Sequence, residues 1–335
     1  MTISCTACAN APVGDVGLDP DEAGDIDAGK GDSAFGIPDV ACADAPVTAP
    51  ATAFRHTSSK LTAALGDPRH RGVDLIASAS AETQWIEGDA SYGTFDKALE
   101  DEDVDIYACR ADAWQLVGSV RTDDEGQFAL ALGGDDRLPL GLRDMFVSVR
   151  GDRTGAKFLA LVDHGGAALA VTDVDGTLTS SEAAFGGTII LGLDVGIHDG
   201  APAAFGALAD RGYQPVYLTA RSRAWTEVTR QWLATKGMPR GPLRLAPHTV
   251  LPGSATVDFK AGALTALTGY ELALGNGNRA SDIEAYQRAG IPADRIFVKL
   301  PEFTLELQPH LDAGEAVGYE HYDELRAIAE QLPPH

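Results

Sequence analysis

Basic residues, cysteines and long apolar runs are all scarce in this sequence of 335 residues. Lys and Arg number 26 against 49 Asp and Glu, so the formal net charge is −23. Because loose binding to nucleic acid or anionic lipid depends on clustered basic side chains, the charge argues against both. No apolar run approaches the roughly 20 residues of a membrane-spanning helix, so no transmembrane segment is predicted. The 44% hydrophobic content still allows a sizeable core, and the length suggests two domains.

Residues 1–69 are predicted to form a disordered acidic tail. The first 50 residues hold nine acidic side chains and a single base, Lys30, and are rich in Gly, Ala and Pro. Such a composition buries too little apolar surface to offset the entropy that is lost on ordering. A calcium loop of the EF-hand type is excluded, because the twelfth position counted from Asp19 is Lys30, where that loop needs a glutamate.

Three of the four cysteines, Cys5, Cys8 and Cys42, lie in this tail, and the fourth is Cys109. The spacing of Cys5 and Cys8 allows a redox pair or half of a metal site, but no βαβ context or second ligand pair accompanies it. It also resembles the tether of a bacterial lipoprotein, although no apolar signal segment precedes it. Incidental cysteines in a flexible tail are the third interpretation. Two locations stay open: the cytoplasm, or export with lipoprotein tethering in a bacterium.

Residues 70–163 are predicted to form a small β-sandwich of the immunoglobulin-like type. In Val104–Cys109, apolar and polar residues alternate with the period of a half-buried strand. Further short segments of this kind, separated by turn-forming clusters and with no helical pattern between them, favour a sandwich. The predicted strands are Val73–Ala77, Val104–Cys109, Trp114–Val120, Gln127–Leu132, Met145–Arg150 and Lys157–Val162. No nucleophile–base pair is present, so this unit is interpreted as a scaffold.

Residues 164–335 alternate strand, loop and helix, which predicts an α/β fold of the Rossmann-like type with a parallel sheet covered by helices. The segment Ala224–Lys236 carries one apolar face at helical spacing. The predicted strands are Ala168–Thr172, Val216–Leu218, Leu272–Leu274 and Ile296–Val298. Ligands of such folds bind at the carboxyl ends of the strands, so the residues that follow each strand are the candidate site.

Chemically active side chains follow these strands in a definite order. Asp173 and Asp175 come directly after the first strand and point to the same side, and Gly176 permits the turn behind them. Three further groups follow along the chain. The first is a hydroxyl with a guanidinium, the second is a cation ahead of a helix, and the third is an Asn–Asp cluster. Together these groups predict a phosphoryl-transfer site. The later residues are Thr219, Arg221, Lys260, Asn278 and Asp282.

At these positions the sequence resembles the haloacid dehalogenase superfamily, and more narrowly the lipin-type domain of lipin phosphatidate phosphatases and Nir phosphatidylinositol-transfer proteins. The matching motifs are Asp173-Val-Asp-Gly-Thr-Leu-Thr179, Tyr217-Leu-Thr-Ala-Arg221, Gly241-Pro-Leu-Arg-Leu245, Asp258-Phe-Lys260 and Gly277-Asn-Arg-Ala-Ser-Asp282. The preceding residues 87–93, 101–105 and 151–154 resemble the β-domain that adjoins this module in Nir-like proteins. The fourth motif offers Asn276 or Asn278 where the superfamily often has Asp, and the lipin-like pattern selects Asn278.

The resemblance implies a magnesium-dependent phosphatase that acts through an aspartyl-phosphate intermediate. It implies that Asp173 is the nucleophile and that Asp175 is the general acid and base. Thr219 and Lys260 are then the further catalytic residues, which hold the phosphoryl oxygens and balance charge. The implied substrate-binding residues are Gly176, Thr177 and Arg221, although a structural ion pair is an equal alternative for Arg221. The implied ligands of Mg²⁺ are Asp173, the backbone carbonyl of Asp175, Asn278 and Asp282.

The expected substrate is a phosphomonoester, with phosphatidate at a lipid surface as the leading choice. Two alternatives stay open: a non-catalytic phosphatidate-binding module, and a phosphatase for a soluble phosphomonoester. Because a binding module could lose the carboxylates of Asp173 and Asp175 freely, their presence favours an enzyme.

Overall fold

A computed structural model of the protein describes residues 36–181 and 195–335, which belong to one compact unit. The alternatives for Cys5 and Cys8, and the predicted disorder of residues 1–35, concern residues outside these ranges. Within the described ranges, no helix is both long enough and apolar enough to cross a membrane.

The amino-terminal half of the described chain consists of short strands and one helix. They are β1 (Asp39–Val40), α1 (Thr57–Ala63), β2 (Arg71–Gly72), β3 (Leu75–Ser78), β4 (Thr83–Asp89), β5 (Ser91–Tyr92), β6 (Lys97–Ala98), β7 (Asp103–Arg110), β8 (Ala113–Arg121), β9 (Gln127–Gly133), β10 (Gly141–Val149) and β11 (Gly155–Asp163). The larger sheet has the order β3-β11-β10-β7-β8, with β1 paired to β10. A second sheet has the order β2-β4-β9, and β5 pairs with β6.

These two larger sheets enclose a common core, as expected of a β-sandwich. Ile86 and Phe128 of the smaller sheet belong to the same buried cluster as Ile106, Met145 and Phe158 of the larger one. A β-sandwich domain is therefore confirmed, while its immunoglobulin-like type stays a prediction.

Strand β4 was missed by the sequence analysis because polar and small residues occupy part of its inward face. Gln84 and Gly88 point inward together with Ile86, so the apolar alternation is hidden. Gln84 is buried because its amide donates to the carbonyl of Leu138 at 3.1 Å and accepts from the amide N–H of the same residue at 2.7 Å. At Gly88 a Cβ atom would collide with the ring of Phe128. The inward positions are thus set by hydrogen bonding and close packing rather than by hydrophobicity.

For residues 36–69 the structure differs from the predicted disordered tail. Ile37 is buried, β1 pairs in parallel with β10, and Cys42 forms a disulfide with Cys109. Further along, the carboxylate of Glu102 accepts the backbone N–H groups of Arg55 and His56, both at 3.0 Å. The average composition of the segment does not reveal these contacts. The few apolar residues alone would not offset the entropy that is lost on ordering, but a covalent link and a few specific hydrogen-bond partners do.

The carboxyl-terminal half is a parallel sheet with helices on both faces. Its elements are β12 (Ala168–Thr172), α2 (Ala201–Ala209), β13 (Gln214–Ser222), α3 (Thr226–Thr235), β14 (Leu243–Ala246), α4 (Ser254–Thr265), β15 (Glu271–Gly277), α5 (Ala280–Arg288), β16 (Ile296–Lys299), α6 (Thr304–Asp312), β17 (Val317–Tyr319) and α7 (Tyr322–Ala329). The strand order is β14-β13-β12-β15-β16-β17, and every pairing is parallel. The predicted α/β class is confirmed.

The central strand β12 is buried on both sides. Ala168 and Ala170 pack in one core with Phe205 of α2, whereas Leu169 and Val171 pack in a second core with Ile283 of α5. Successive residues of a strand point to opposite faces, so a strand covered on both faces is apolar throughout. This arrangement fixes the carboxyl end of β12, and with it Asp173, at the middle of the sheet edge.

One buried carboxylate joins the two halves. Asp74, which is 1% exposed, accepts hydrogen bonds from the backbone N–H groups of Leu159 in the sandwich and Leu243 in the parallel sheet, at 2.8 and 2.7 Å. Arg230 of α3 completes the cluster at 2.8 Å. The sandwich is therefore anchored to the sheet that carries the candidate site.

Candidate active site

A cavity of about 270 Å³ opens at the carboxyl edge of the parallel sheet. It lies where β12, β13 and β15 end side by side, because parallel neighbours direct their carboxyl ends to one edge. Seven of the nine residues predicted for the site line this cavity: Asp173, Asp175, Thr219, Arg221, Lys260, Asn278 and Asp282. The other two, Gly176 and Thr177, belong to the loop that begins at Asp173.

A buried lysine lies between two carboxylates at the base of the site. Lys260 Nζ is 2.6 Å from Asp173 Oδ1 and 2.6 Å from Asp282 Oδ1, and all three side chains are almost fully buried. Burial raises the pKa of the Asp173 carboxyl, and Lys260 opposes this shift. For Lys260 burial disfavours the charged form, but Asp173 and Asp282 outweigh it and raise the pKa of its ammonium group. The lysine therefore stays charged.

Asp282 is held by the start of α5. Its Oδ2 atom accepts the backbone N–H groups of Asn278 and Arg279 at 3.0 and 3.1 Å, while Oδ1 accepts Lys260. A carboxylate offers about four acceptor positions, so most of those of Asp282 are filled. The structure places Asp282 where it orients Lys260.

Thr177 connects the nucleophile candidate with Asn278. Its Oγ1 lies 3.3 Å from Asp173 Oδ2 and 3.1 Å from Asn278 Oδ1, and the residue is fully buried. Asn278 Nδ2 is buried without a hydrogen-bond partner. Asn276, by contrast, does not line the cavity and is bonded to buried tyrosines. Of the two asparagines considered, the structure places Asn278 at the cavity.

Asp175 is bonded to Thr219 and Arg221, two residues near the carboxyl end of β13. Arg221 Nε lies 3.0 and 2.8 Å from its two carboxylate oxygens, and Thr219 Oγ1 donates to Oδ2 at 3.0 Å. Arg221 also donates to Thr229 Oγ1 at 3.0 Å, and its side chain is only 7% exposed. Burial lowers the pKa of the Arg221 guanidinium, and Asp175 opposes this shift. Of the two roles considered for Arg221, the structure contains the ion pair.

The loop from Asp173 to Thr179 is closed by local hydrogen bonds. Gly176 has a φ of 69°, a left-handed conformation that favours glycine, and its N–H donates to Thr179 Oγ1 at 2.8 Å. Gly176, which the resemblance implies is a substrate-binding residue, thus has its N–H bonded to Thr179 in this structure.

The sequence analysis missed two sets of residues around the cavity. One is the loop between β14 and α4 together with the first turn of α4, from which Val250, Pro252, Gly253 and Thr256 line the cavity. The other is a group of buried polar side chains that includes Tyr319 and Tyr322. This group lies beneath the loop from Asp173 to Thr179, which is called the nucleophile loop below. Neither set stands next to a motif, and buried tyrosines look like ordinary core residues in a sequence.

Comparison with known families gives two matches, one for each half of the chain. Residues 68–162 match the family described as the beta-sandwich domain of PITM 1-3. Residues 170–299 match the family described as the LNS2 domain of PITM 1-3. Residues 68–162 are therefore similar to the PITM β-sandwich domain, and residues 170–299, called the LNS2 domain below, are similar to the LNS2 domain. The lipin-type and Nir-like resemblance of the sequence is thereby confirmed.

Individual relatives are similar to parts of this chain. Human phosphatidate phosphatase LPIN2 is 31% identical over 175 residues, which are 46% of this chain and 19% of that protein. Human membrane-associated phosphatidylinositol transfer protein 3 is 26% identical over 233 residues, 68% of this chain and 23% of that protein. The chain thus spans about a fifth of the length of these relatives.

A solved structure from Mesorhizobium loti, described as a HAD-like phosphatase, is also similar. It is 15% identical, covers 51% of this chain and 89% of its own, and aligns with a TM-score of 0.37. This score is too low to establish a common overall fold.

Proposed function

We propose that the LNS2 domain of this chain is a magnesium-dependent phosphomonoester phosphatase that acts through an aspartyl-phosphate. The observation that carries the proposal is the buried cluster of Asp173, Lys260 and Asp282 beside a cavity. Structural ion pairs do not need a cavity, whereas a nucleophile does. Two curated relatives that are 31% and 30% identical to part of this chain are named as phosphatidate phosphatases.

The groups around the cavity suit a magnesium ion. Asp173, Asp282 and Lys260 together carry one net negative charge, and Asp175 is balanced by Arg221. The hydroxyl oxygen of Thr177 lies within 3.3 Å of both Asp173 Oδ2 and Asn278 Oδ1. These two hard oxygen donors are therefore neighbours. Oxygen donors of this kind are those that Mg²⁺ prefers.

The proposed holders of the ion are Asp173, Asn278 and the backbone carbonyl of Asp175. Asp282, predicted as a fourth ligand, has most of its acceptor positions filled and is proposed to act chiefly through Lys260. Among the described residues, no group of three or more His, Cys, Asp or Glu side chains could hold a metal, so the amide and carbonyl oxygens are essential to the set. When bound, Mg²⁺ would neutralise charge on the substrate phosphate.

In the proposed reaction, a carboxylate oxygen of Asp173 attacks phosphorus and the ester P–O bond breaks. Lys260 keeps the attacking carboxylate oriented and balances charge on the transition state. Asp175 must loosen its pairing with Arg221 and take up a proton before the attack, and it then gives this proton to the leaving oxygen. Asp175 then accepts a proton from the water that attacks the aspartyl-phosphate, which releases phosphate and restores Asp173.

The rim of the cavity supports a substrate with an apolar part. Val250 and Pro252 line the cavity, and Leu251 between them is 72% exposed. Polar residues, among them Arg279 and Ser281, line another part of the cavity. We therefore propose phosphatidate, or a related lipid phosphomonoester, as the substrate.

The compartment is proposed from the disulfide. Cys42 and Cys109 are bonded to each other. Because disulfides persist in oxidising compartments and are rare in reducing ones, we propose that the protein works outside the cytoplasm.

The function is tested by phosphate release from para-nitrophenyl phosphate and from phosphatidate in mixed micelles, each with Mg²⁺ and with EDTA. The proposal predicts release from both substrates with Mg²⁺ and none with EDTA. Release from soluble phosphomonoesters alone would favour the soluble-substrate alternative. Binding of phosphatidate vesicles without turnover of either substrate would favour a non-catalytic module.

A further inference from the structure

A group of buried polar side chains lies next to the nucleophile loop without lining the cavity. Asn276 Oδ1 accepts a hydrogen bond from the hydroxyl of Tyr319 at 2.7 Å. Asn276 Nδ2 lies 3.1 Å from Thr172 Oγ1 and 3.4 Å from the hydroxyl oxygen of Tyr322. All four residues are at most 2% exposed. Buried polar networks whose members are satisfied rigidify their surroundings, so this group is suited to fix a conformation.

This network contacts the nucleophile loop at both ends. At the start, Thr172 Oγ1 donates to the carbonyl oxygen of Asp173 at 2.8 Å, and the N–H of Asp173 donates to the carbonyl of Asn276 at 2.8 Å. At the end, the hydroxyl of Tyr322 donates to the carbonyl of Thr177 at 2.7 Å. The five-residue segment that begins at Asp173 is therefore held from outside the cavity.

Tyr322 contacts the loop close to the reacting group. The residue whose carbonyl it binds, Thr177, places its own hydroxyl 3.3 Å from Asp173 Oδ2. Tyr322 is the first residue of α7, and its ring packs against Tyr319 with a centroid distance of 5.3 Å. Its hydroxyl is therefore placed by an element that does not belong to the site.

We propose that Tyr322 is a positioning residue, whose hydroxyl fixes Thr177 so that the Asp173 carboxylate keeps its orientation for attack. Small displacements of a reacting group lower the rate strongly, since catalysis depends on a near-attack geometry. The kinetic part of this inference rests on the proposed phosphatase function, whereas its structural part does not.

The test compares Tyr322→Phe with Tyr217→Phe as a matched control. Tyr217 is equally buried, and its hydroxyl donates to the carbonyl of Pro239, away from the loop. Tyr217→Phe loses one buried hydrogen bond, whereas Tyr322→Phe loses its bond to the Thr177 carbonyl and the longer one from Asn276 Nδ2, so Tm should fall in both variants and at least as far in Tyr322→Phe. Tyr322→Phe is expected to lower kcat on para-nitrophenyl phosphate by about tenfold with KM unchanged. Tyr217→Phe is expected to leave both constants within about twofold of wild type, as its role is structural.

Hydrogen exchange of the peptide that covers residues 173–179 gives a second readout. Faster exchange is expected in Tyr322→Phe and not in Tyr217→Phe. If wild type turns over substrate and Tyr322→Phe has the same kcat, or if both variants lose kcat equally, the inference is wrong. If wild type releases no phosphate, the proposed function fails, and unchanged exchange in Tyr322→Phe would then overturn the positioning role separately.

Discussion

The two halves of the molecule each bury a cluster of charged side chains, and the two clusters have opposite compositions. In the sandwich, Asp105 accepts Arg150 Nε at 2.8 Å and Arg153 Nη1 at 2.7 Å, so two cations surround one carboxylate. In the LNS2 domain, Lys260 lies between Asp173 and Asp282, so one cation serves two carboxylates.

The protonation behaviour of the two clusters differs accordingly. Burial opposes ionisation of Asp105, but the hydroxyl of Ser119 and the two arginines lower the pKa of its carboxyl. Burial raises the pKa of Asp173 because a single, shared lysine compensates it only in part. A buried carboxylate whose burial cost is more than offset by nearby cations and hydrogen bonds is typical of a structural role. A buried carboxylate whose burial cost is offset only in part, and which lies at the edge of a cavity, indicates a functional site. Four experiments test this difference between the two halves.

The largest effect is expected for Asp173→Asn. Because the amide cannot act as the nucleophile, phosphate release from para-nitrophenyl phosphate should fall by about 1,000-fold or more. The fold should persist, since the substitution removes one of two carboxylates that share a lysine. Circular dichroism and urea unfolding would verify that the variant is folded. Retained turnover would show that Asp173 is not the nucleophile.

The matched change in the sandwich is Asp105→Asn. It leaves Arg150 and Arg153 without their buried carboxylate, so the free energy of unfolding should fall by about 3 kcal/mol. Turnover of the folded variant at low temperature should stay within about twofold of wild type, because Asp105 does not line the active-site cavity. A large loss of kcat would contradict the division between a structural and a catalytic cluster.

Much of the site that the sequence predicted lies at the carboxyl ends of strands, since Asp173 follows β12 and Thr219 lies near the end of β13. Asp173 and Thr219 could be placed because parallel strands deliver their carboxyl ends to one edge, whatever the details of packing. The pairing of Asp175 with Arg221 joins residues that are 46 positions apart in the chain. The contact of Tyr322 with Thr177 joins residues that are 145 positions apart. No local pattern encodes such distances, so a single sequence could not supply them.

The same limit explains the errors in the fold. Strands with apolar alternation, such as β7, were found, whereas β4 was missed because Gln84 and Gly88 point inward. The order of segment 36–69 escaped prediction because its main attachment, the bond between Cys42 and Cys109, joins residues 67 positions apart.

A loss of stability of the same order as that of Asp105→Asn is expected on breaking that bond. Closing a loop of 67 residues stabilises the folded state by about 4 kcal/mol in the chain-entropy treatment, so the Cys42→Ser, Cys109→Ser double variant should lose a free energy of unfolding of this order. Urea unfolding of wild type with and without dithiothreitol supplies the control. Because the bond lies in the sandwich, kcat below the unfolding transition should not change. A parallel loss of kcat would show that the sandwich shapes the site directly.

The smallest effect concerns a buried histidine of the sandwich that has no carboxylate bonded to it. The Nε2 atom of His70 lies 2.8 Å from Thr154 Oγ1, and its Nδ1 has no hydrogen-bond partner. Burial lowers the pKa of His70 to about 4, against a weaker opposing effect of Asp152 and with a small contribution from Arg71. In the unfolded chain this histidine takes up its proton near pH 6.5, whereas in the folded protein it does so only near pH 4.

The unfolded state therefore binds the extra proton across this window, and the contribution of His70 to stability is lost as the pH falls from about 6.5 to about 4. At about 1.4 kcal/mol per pH unit, the loss between pH 6.5 and pH 5 is about 2 kcal/mol. The measurement is urea unfolding of wild type and His70→Gln at both pH values, since other groups titrate equally in the two proteins. The stability advantage of wild type should shrink by this amount on acidification. If the difference in free energy of unfolding between wild type and His70→Gln is the same at both pH values, His70 is not held neutral in the folded protein. The sandwich would then stabilise the charged form of this histidine more than its hydrogen bonds indicate.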